Sequence, residues 1–431
     1  MPFNLLLDFS LYICFLSKTI LLNPDTVDVL IIGAGPAGLF AASQCKSLDV
    51  LVLEKNNSTG KKLLISGTGR CNITHDCATS EFYAHYGQNH RFLKPALNAF
   101  SNRDLIAFLN LHGLNTVTDK NGKVFPETQR AEDVLKVLID ACKQNRVDIK
   151  CDEAVHSVQR SSIGFTVSTS KGEYHSRFLI ITTGGMSYPA TGSTGDGYRF
   201  AKQLGHAIVP PKPSLSPVIV KDYSMASLAG VALPDRQLSL YRGMKKIGSH
   251  EGDIGFTHKG LTGPGILDFS RMIQSGDVLK INFLGIPTDE FRNSLIGFAA
   301  TDGKTAIQTL LKKMELPRSL VQLVLHSVQV SPDLRLGEIT KPIRNLLVAA
   351  FCEHEYVVER VAGFNMAMVT AGGVDLEEVN AKTLESKLVE GLFFAGEVLD
   401  IDGDTGGYNL QAAFSTAFLA AKCICRGKER F

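Results

Sequence analysis

Apolar positions along the chain fall into three kinds of pattern. Uninterrupted runs come first: Val29–Ile32 in "DVLIIGAGPAGLF", Val50–Leu53 in "VLVLE", Phe178–Ile181 in "RFLIITTGG", and the run in "GLFFAGE" that ends at Gly396 and Glu397. Runs of this kind predict strands buried on both faces of a parallel sheet. Alternation in "IGFTVSTS", with "VDIKC" before it, predicts the strands of a small meander. From about Pro213 the pattern changes to short β-like runs, "SPVIVKDY", "RQLSLYRG" and "DVLKINFLG". Helical spacing follows in "TAIQTLLKKM" and "SLVQLVLHSV", where apolar residues recur at three and four. The doubly wound pattern resumes near Asn365 and closes on a helix with the apolar stripe Leu410, Ala413, Phe414, Ala417 and Phe418.

The first run carries chemistry. Gly33, Gly35 and Gly38 satisfy G-x-G-x-x-G directly after a strand. Those glycines permit the tight turn, the close approach of a pyrophosphate and tight helix–strand packing. Pro36 and Ala37 open the next helix, whose unpaired N–H groups would meet phosphates. The second run ends at Glu54, about 20 residues on, where a carboxylate accepts hydrogen bonds from the adenosine ribose. Glu54 favours an unphosphorylated ribose, hence FAD or NAD over NADP. The returning strand at "GLFFAGE" decides for FAD, because a simple NAD domain has no need of it. A two-dinucleotide disulfide reductase would add a second glycine fingerprint and a redox cysteine pair, and neither stands in the sequence.

Composition narrows the class. The 431 residues exceed one ordinary core, and 44% apolar with 20% charged content reads as soluble and globular. A net charge of +2 gives no reason to expect nucleic acid as a partner. Nine cysteines without regular spacing fit a reducing, cytoplasmic compartment, and no metal set is expected. The opening "FNLLLDFSLYICFLSKTILL" would have to bury Asp8 and Lys18 to span a membrane, and its uncharged interior, Phe9 to Ser17, is too short. Residues 1–26 are therefore read as a poorly specified extension, an upstream start site being one source and a peripheral amphipathic helix the alternative. No stable membrane insertion is expected.

Near the other end stands "GEVLDIDGDTGGYNLQAAF". Asp400, Asp402 and Asp404 alternate like an EF-hand loop, but the glycine position holds Thr405 and the twelfth position holds Gln411 instead of Glu. Calcium is rejected. Acids that bind hydroxyls or fix the loop, glycines that bare the backbone, and a helix start at Gly406, Gly407, Tyr408 and Asn409 suit an anionic flavin better.

Four long stretches carry a resemblance: "KKLLISGTGRCNIT", "TGGMSYPATGSTGDGY", "FTHKGLTGPGIL" and the segment from Val369 to Phe414. Together they resemble the bacterial aminoacetone-oxidase-like FAD flavoprotein family, which also includes proteins described as bile-acid-intermediate reductases. The likeness runs from about Val27 to the C-terminal helix. It implies an α/β fold, a glutathione-reductase-type FAD-binding Rossmann domain (27–212 and 365–431) interrupted by an insert (213–364). The insert would be a β-barrel with a helical part at about 288–345. Glu397 matches the family's ribityl-binding acid, and Val155 its backbone contact to adenine. Gly67, Gly69, Arg70 and Asn72 are candidate flavin contacts, with Cys71 in a packing or cofactor-contact role. Lys62 is placed near the phosphates, and Thr183, Gly184, Gly185 and Gly396 at the strand ends that meet the cofactor.

The expected activity is hydride exchange between flavin N5 and a small organic substrate, an amine or an activated alkene, with NAD(P)H or O2 as second redox partner. Flavin-dependent RNA modification and a flavin-binding redox sensor are the alternatives. Tyr188, His258 and Tyr408 are proton-transfer candidates, and no residue is assigned as catalytic.

Overall fold

The computed structural model describes residues 26–428; the reading of the N-terminal extension lies outside them, apart from Thr26, which opens the first strand. Strand β1 (Thr26–Ile32) leads through Gly33–Gly35 into helix α1 (Pro36–Gln44) and strand β2 (Val50–Leu53). Strand β3 (Asp148–Lys150) adds beside β2, and the meander β4 (Val155–Ser161), β5 (Gly164–Thr169) and β6 (Glu173–Ile181) follows. The order across the sheet is β3-β2-β1-β6-β5-β4. β1 pairs in parallel with β2 (Val29↔Val50) and with β6 (Val29↔Phe178). The returning strand β7 (Leu392–Phe394) pairs in parallel with the C-terminal half of β6, Phe394 opposite Ile181. All four expected parallel-sheet runs are thus strands of one sheet.

Sequence dictates this closely. Val29 to Ile31 and Leu179 to Ile181 are fully buried, as strands covered on both faces must be. One face is covered by α1 and by the C-terminal helix α2 (Tyr408–Lys428). The two helices meet where the Phe40 and Phe414 rings pack edge to face, 5.2 Å between centroids. Burying each such ring stabilises the domain by about 1.5–3 kcal/mol.

Between β2 and β3 lies an excursion of several helices, the longest Ala131–Gln144, outside the runs described above. It includes a three-stranded sheet of Thr74–His75, Lys123–Pro126 and Thr116–Thr118.

The insert hangs from an antiparallel pair of strands, Ile208–Ser214 and Val369–Val374, with Ser214 opposite Val369. Beyond that pair, six strands close into a barrel: Val218–Val220, Gly260–Thr262, Lys245–Phe256, Ala232–Arg242, Val278–Asn282 and His354–Val361. Its core, with Leu238, Leu240, Ile254, Phe256, Leu279 and Ile281, is separate from that of the Rossmann domain. Helices from Thr288 to Cys352 join the barrel core, so the helical part runs past 345 and the barrel's last strand follows it. Among the described residues no helix is long and apolar enough to cross a membrane.

Candidate active site

A cavity of about 1150 Å3 runs along the C-terminal edge of the sheet and under the barrel. It exceeds the roughly 300–1,000 Å3 usual for a pocket that takes one small ligand, as a site for a dinucleotide must.

At one end Glu54 is buried, its carboxylate fixed by the N–H groups of Ala34 (2.9 Å) and Asn56 (2.8 Å) and by the Asn56 side chain (2.7 Å). Val155, His156 and Arg199 line the wall beside it. In the middle, Gly33 adopts φ 106°, and a Cβ there would fall 2.8 Å from the Thr182 carbonyl oxygen. A Cβ on Gly35 would meet nothing within 4 Å, so this backbone faces open space that a side chain would fill. Gly38 lies behind the turn, where a Cβ would strike the Gly33 carbonyl. The three glycines divide the work as the fingerprint requires: turn, open approach, packing.

Across the cavity, Glu397 follows β7. Its carboxylate accepts from Lys62 Nζ (2.8 Å), Ser187 Oγ (2.9 Å) and the Thr370 N–H (2.9 Å). Lys62 therefore stands against Glu397, and both line the cavity. Gly184 and Gly396 line it with φ of 72° and 77°, and Thr183 lines it with a buried hydroxyl that has no partner among the described residues. Gly185 sits outside, packed under Thr370.

The far end is formed by two backbone turns. Gly67, Thr68, Gly69 and Cys71 all have positive φ, and a Cβ on Gly67 would lie 2.8 Å from the Asn72 N–H nitrogen. Gly67, Arg70 and Asn72 line the cavity, whereas Gly69 does not. Cys71 points into the core, and burial pushes its thiol up to about 12, which suits packing. Asn72, with its amide turned to satisfy both ends, donates to Thr74 O (3.0 Å) and accepts the Gly407 N–H (3.1 Å). Gly406, Gly407 and Asn409 line the opposite wall. Helix α2 starts there, and the first-turn N–H groups of Tyr408, Asn409 and Leu410 have no acceptor among the described residues.

The acids before this helix fix the loop. Asp400 accepts the Gly372 N–H (2.9 Å), Asp402 accepts Ser214 Oγ (2.7 Å), and Asp404 pairs with His85 (3.0 Å) and Arg271 (2.7 Å). Of the proton-transfer candidates, Tyr188 lines the cavity with φ 51°. Tyr408 is buried, stacked between His75 and His85 at 5.1 and 3.9 Å, and burial raises its phenol well above the usual range. His258 is exposed and lies off the cavity wall. Asn56, Ser187, Asp268 and Arg271 were not found from the sequence; the last three are partners of distant residues and carry no local signature, whereas Asn56 sits two residues after the Glu54 it binds.

The donor set fits FAD. Glu54 would hold the adenosine ribose, Gly33–Ala37 the pyrophosphate, Glu397 with Lys62 the ribityl chain, and the start of α2 the anionic edge of the ring.

The HI0933-like protein Rossmann domain family matches residues 27–423. The chain belongs to that family. A Haemophilus influenzae protein named ribosomal RNA dihydrouridine synthase is 33% identical, over 92% of this chain and 98% of its own. A Clostridium scindens protein named 3-dehydro-bile acid delta(4,6)-reductase is 29% identical, over 91% of this chain and 97% of its own. The 3-ketosteroid delta1-dehydrogenase of Sterolibacterium denitrificans is 13% identical with a TM-score of 0.52, covering 94% of this chain and 100% of that one, and shares the fold. The chain is an FAD-dependent oxidoreductase of Rossmann type with an inserted barrel.

Proposed function

We propose that the chain reduces a carbon–carbon double bond conjugated to a carbonyl group, on a small organic substrate. The observation that carries this reading is the wall that the barrel adds to the cavity. Beyond the cofactor stretch, the wall is supplied by Thr262, Gly263, Pro264 and Leu267 of the barrel, with Leu215, Met368 and Val369 at the crossing. This wall is short-chained and mostly apolar, suited to a planar unsaturated ring. Bound FAD would supply a hydride equivalent at N5. The chain's own residues orient the ring, exclude water and hold the proton for the second alkene carbon. Tyr188 is a candidate source: its half-buried phenol makes no hydrogen bond among the described residues. The two relatives' names support saturation of a ring double bond over amine oxidation, since both dihydrouridine formation and delta(4,6) reduction are of that kind.

A second reading keeps the chemistry and moves it to a uracil in structured RNA. The name of the Haemophilus relative favours it, as does the cationic lip, where exposed Arg70 stacks 4.9 Å over Phe125 and Lys123 lines the cavity on the same strand. The test is anaerobic. Protein with reduced flavin is mixed with a steroid dienone or with a ribosomal RNA transcript, and oxidised protein with a panel of amines. Flavin reoxidation by the dienone, with product heavier by two hydrogens, is expected. Turnover of the transcript alone would move the substrate to the second reading, and turnover of amines alone would overturn both.

A further inference from the structure

Two residues of the barrel reach into the cofactor domain at the turn that precedes α2. Asp268 follows the short helix Pro264–Leu267, which itself lines the cavity. Its Oδ1 accepts the Thr405 N–H at 2.6 Å and its Oδ2 accepts the Thr405 hydroxyl at 3.0 Å. Arg271, three residues on, donates to Asp404 Oδ1 at 2.7 Å and sets its Nε 3.6 Å from Asp402 Oδ2. On the other side the same segment is tied to its own domain. His85 bonds Asp404, and the Asn409 amide closes on the N–H and C=O of Gly403 at 2.8 and 2.9 Å. Thr405 is followed directly by Gly406 and Gly407, where the turn meets the cavity.

We propose that Asp268, with Arg271, is a positioning device by which the barrel sets the place of the Gly406–Gly407 turn against the flavin. A residue that grips the backbone N–H and the side chain of one threonine fixes both the position and the rotation of that peptide. The next two residues are glycines with φ of 121° and 94°, a conformation set between the Thr405 grip on one side and the Asn72 amide and His75 ring on the other. Seating of the barrel and presentation of the helix start are thereby one event.

The grip is also sensitive to acid. Asp268 is largely buried, and burial, the first cause, pushes its carboxyl up to about 6; the nearby Asp404 adds to this, while the Thr405 bonds and Arg271 oppose it. The charged groups around it are His250 on the facing barrel strand (4.0 Å), Arg271 on its own segment, and Asp404 with Asp402 and His85 behind it. Protonation removes one of the two acceptors offered to Thr405.

The inference rests on the FAD reading and not on the substrate. The experiment compares the parent with Asp268→Ala, Asp268→Asn and Arg271→Lys in FAD titration of apoprotein and in flavin midpoint potential across pH 6. Asp277→Asn serves as a control, because Asp277 pairs with Arg242 within the barrel and leaves the turn alone. Asp268→Ala should weaken FAD about tenfold and shift the potential. Asp268→Asn should keep most of the affinity, Arg271→Lys should fall between, and both Asp268 variants should lose the change near pH 6. If the alanine variant does not fold, the asparagine pH profile decides. Affinity and potential equal to the parent's in every Asp268 and Arg271 variant would overturn the proposal, even with stability lowered as in the control. A parent that takes up no FAD would instead refute the cofactor reading.

Discussion

Glu397 provides the sharpest test of the cofactor site. Three donors converge on its carboxylate, the Lys62 ammonium, the Ser187 hydroxyl and the Thr370 N–H, and the pair with Lys62 is 24% and 21% exposed. If this carboxylate also accepts ribityl hydroxyls, Glu397→Ala removes a charge-assisted bond to FAD worth about 1.5–3 kcal/mol. Affinity should then fall by about one to two decades. Partial exposure puts the loss nearer the lower figure. Asp400→Ala is the matched control, since Asp400 accepts the Gly372 N–H and lies off the cavity wall. That variant should lose stability at the strand crossing and keep its FAD affinity. The assay is fluorescence titration of apoprotein with FAD, alongside thermal melts of each apoprotein. Lys62→Met separates the two functions of the carboxylate, since it frees Glu397 without deleting it and should cost less than Glu397→Ala. Equal FAD affinities for the parent, Glu397→Ala and Asp400→Ala would refute the assignment.

Gly35→Val should yield folded protein without FAD, because the branched side chain would fill the open space beside the turn; full flavin occupancy on purification would count against it. Removing Met1 to Pro24 should leave a soluble, flavin-loaded protein, as every cofactor residue lies downstream, and an insoluble product would show otherwise. His206 is buried against the Phe394 ring (5.0 Å), and burial lowers its pKa below the usual 6.5. Its folded pKa lies below the unfolded one, so its contribution to stability is complete above about pH 6.5 and is lost as pH falls through that value and below. Melting temperature measured from neutral to mildly acidic pH should drop less in His206→Leu than in the parent, and parallel slopes would refute this.

What could be read from the sequence followed the range of the interaction. The path from Val29 through the glycines and α1 to Glu54 is local, and each step has its own residue signature. The run ending at Glu397 was legible because a buried strand is continuous in composition even when its partner, Ile181 opposite Phe394, is far away. Barrel strands were legible as short β-like runs, while closure was expected from the family resemblance alone, since it depends on pairs such as Val218 with Val361. Lys62 was placed near the phosphates, whereas it also stands against Glu397, 335 residues away. The same holds for Asp268 and Thr405, 137 residues apart. No pattern within a window of a helix or a strand encodes such a pair. The excursion after β2 does hold a helical signature, in Ala131–Gln144 with buried Val134, Leu138, Ala141 and Cys142 at helical spacing, while its short strands such as Thr74–His75 carry no period of their own.

The insert leaves and rejoins the Rossmann domain through adjacent strands, with Ser214 directly opposite Val369. Opposed residues in an antiparallel pair stand about 4.5–5.5 Å apart, so a two-residue turn could join them as a hairpin. The barrel module is thus plugged in at a single seam, apart from the sheet that binds the nucleotide. The graft has a condition attached. Thr405 receives its acceptors from Asp268 and Asp404 its guanidinium from Arg271, so a replacement module must carry an acid and a base at the same two places.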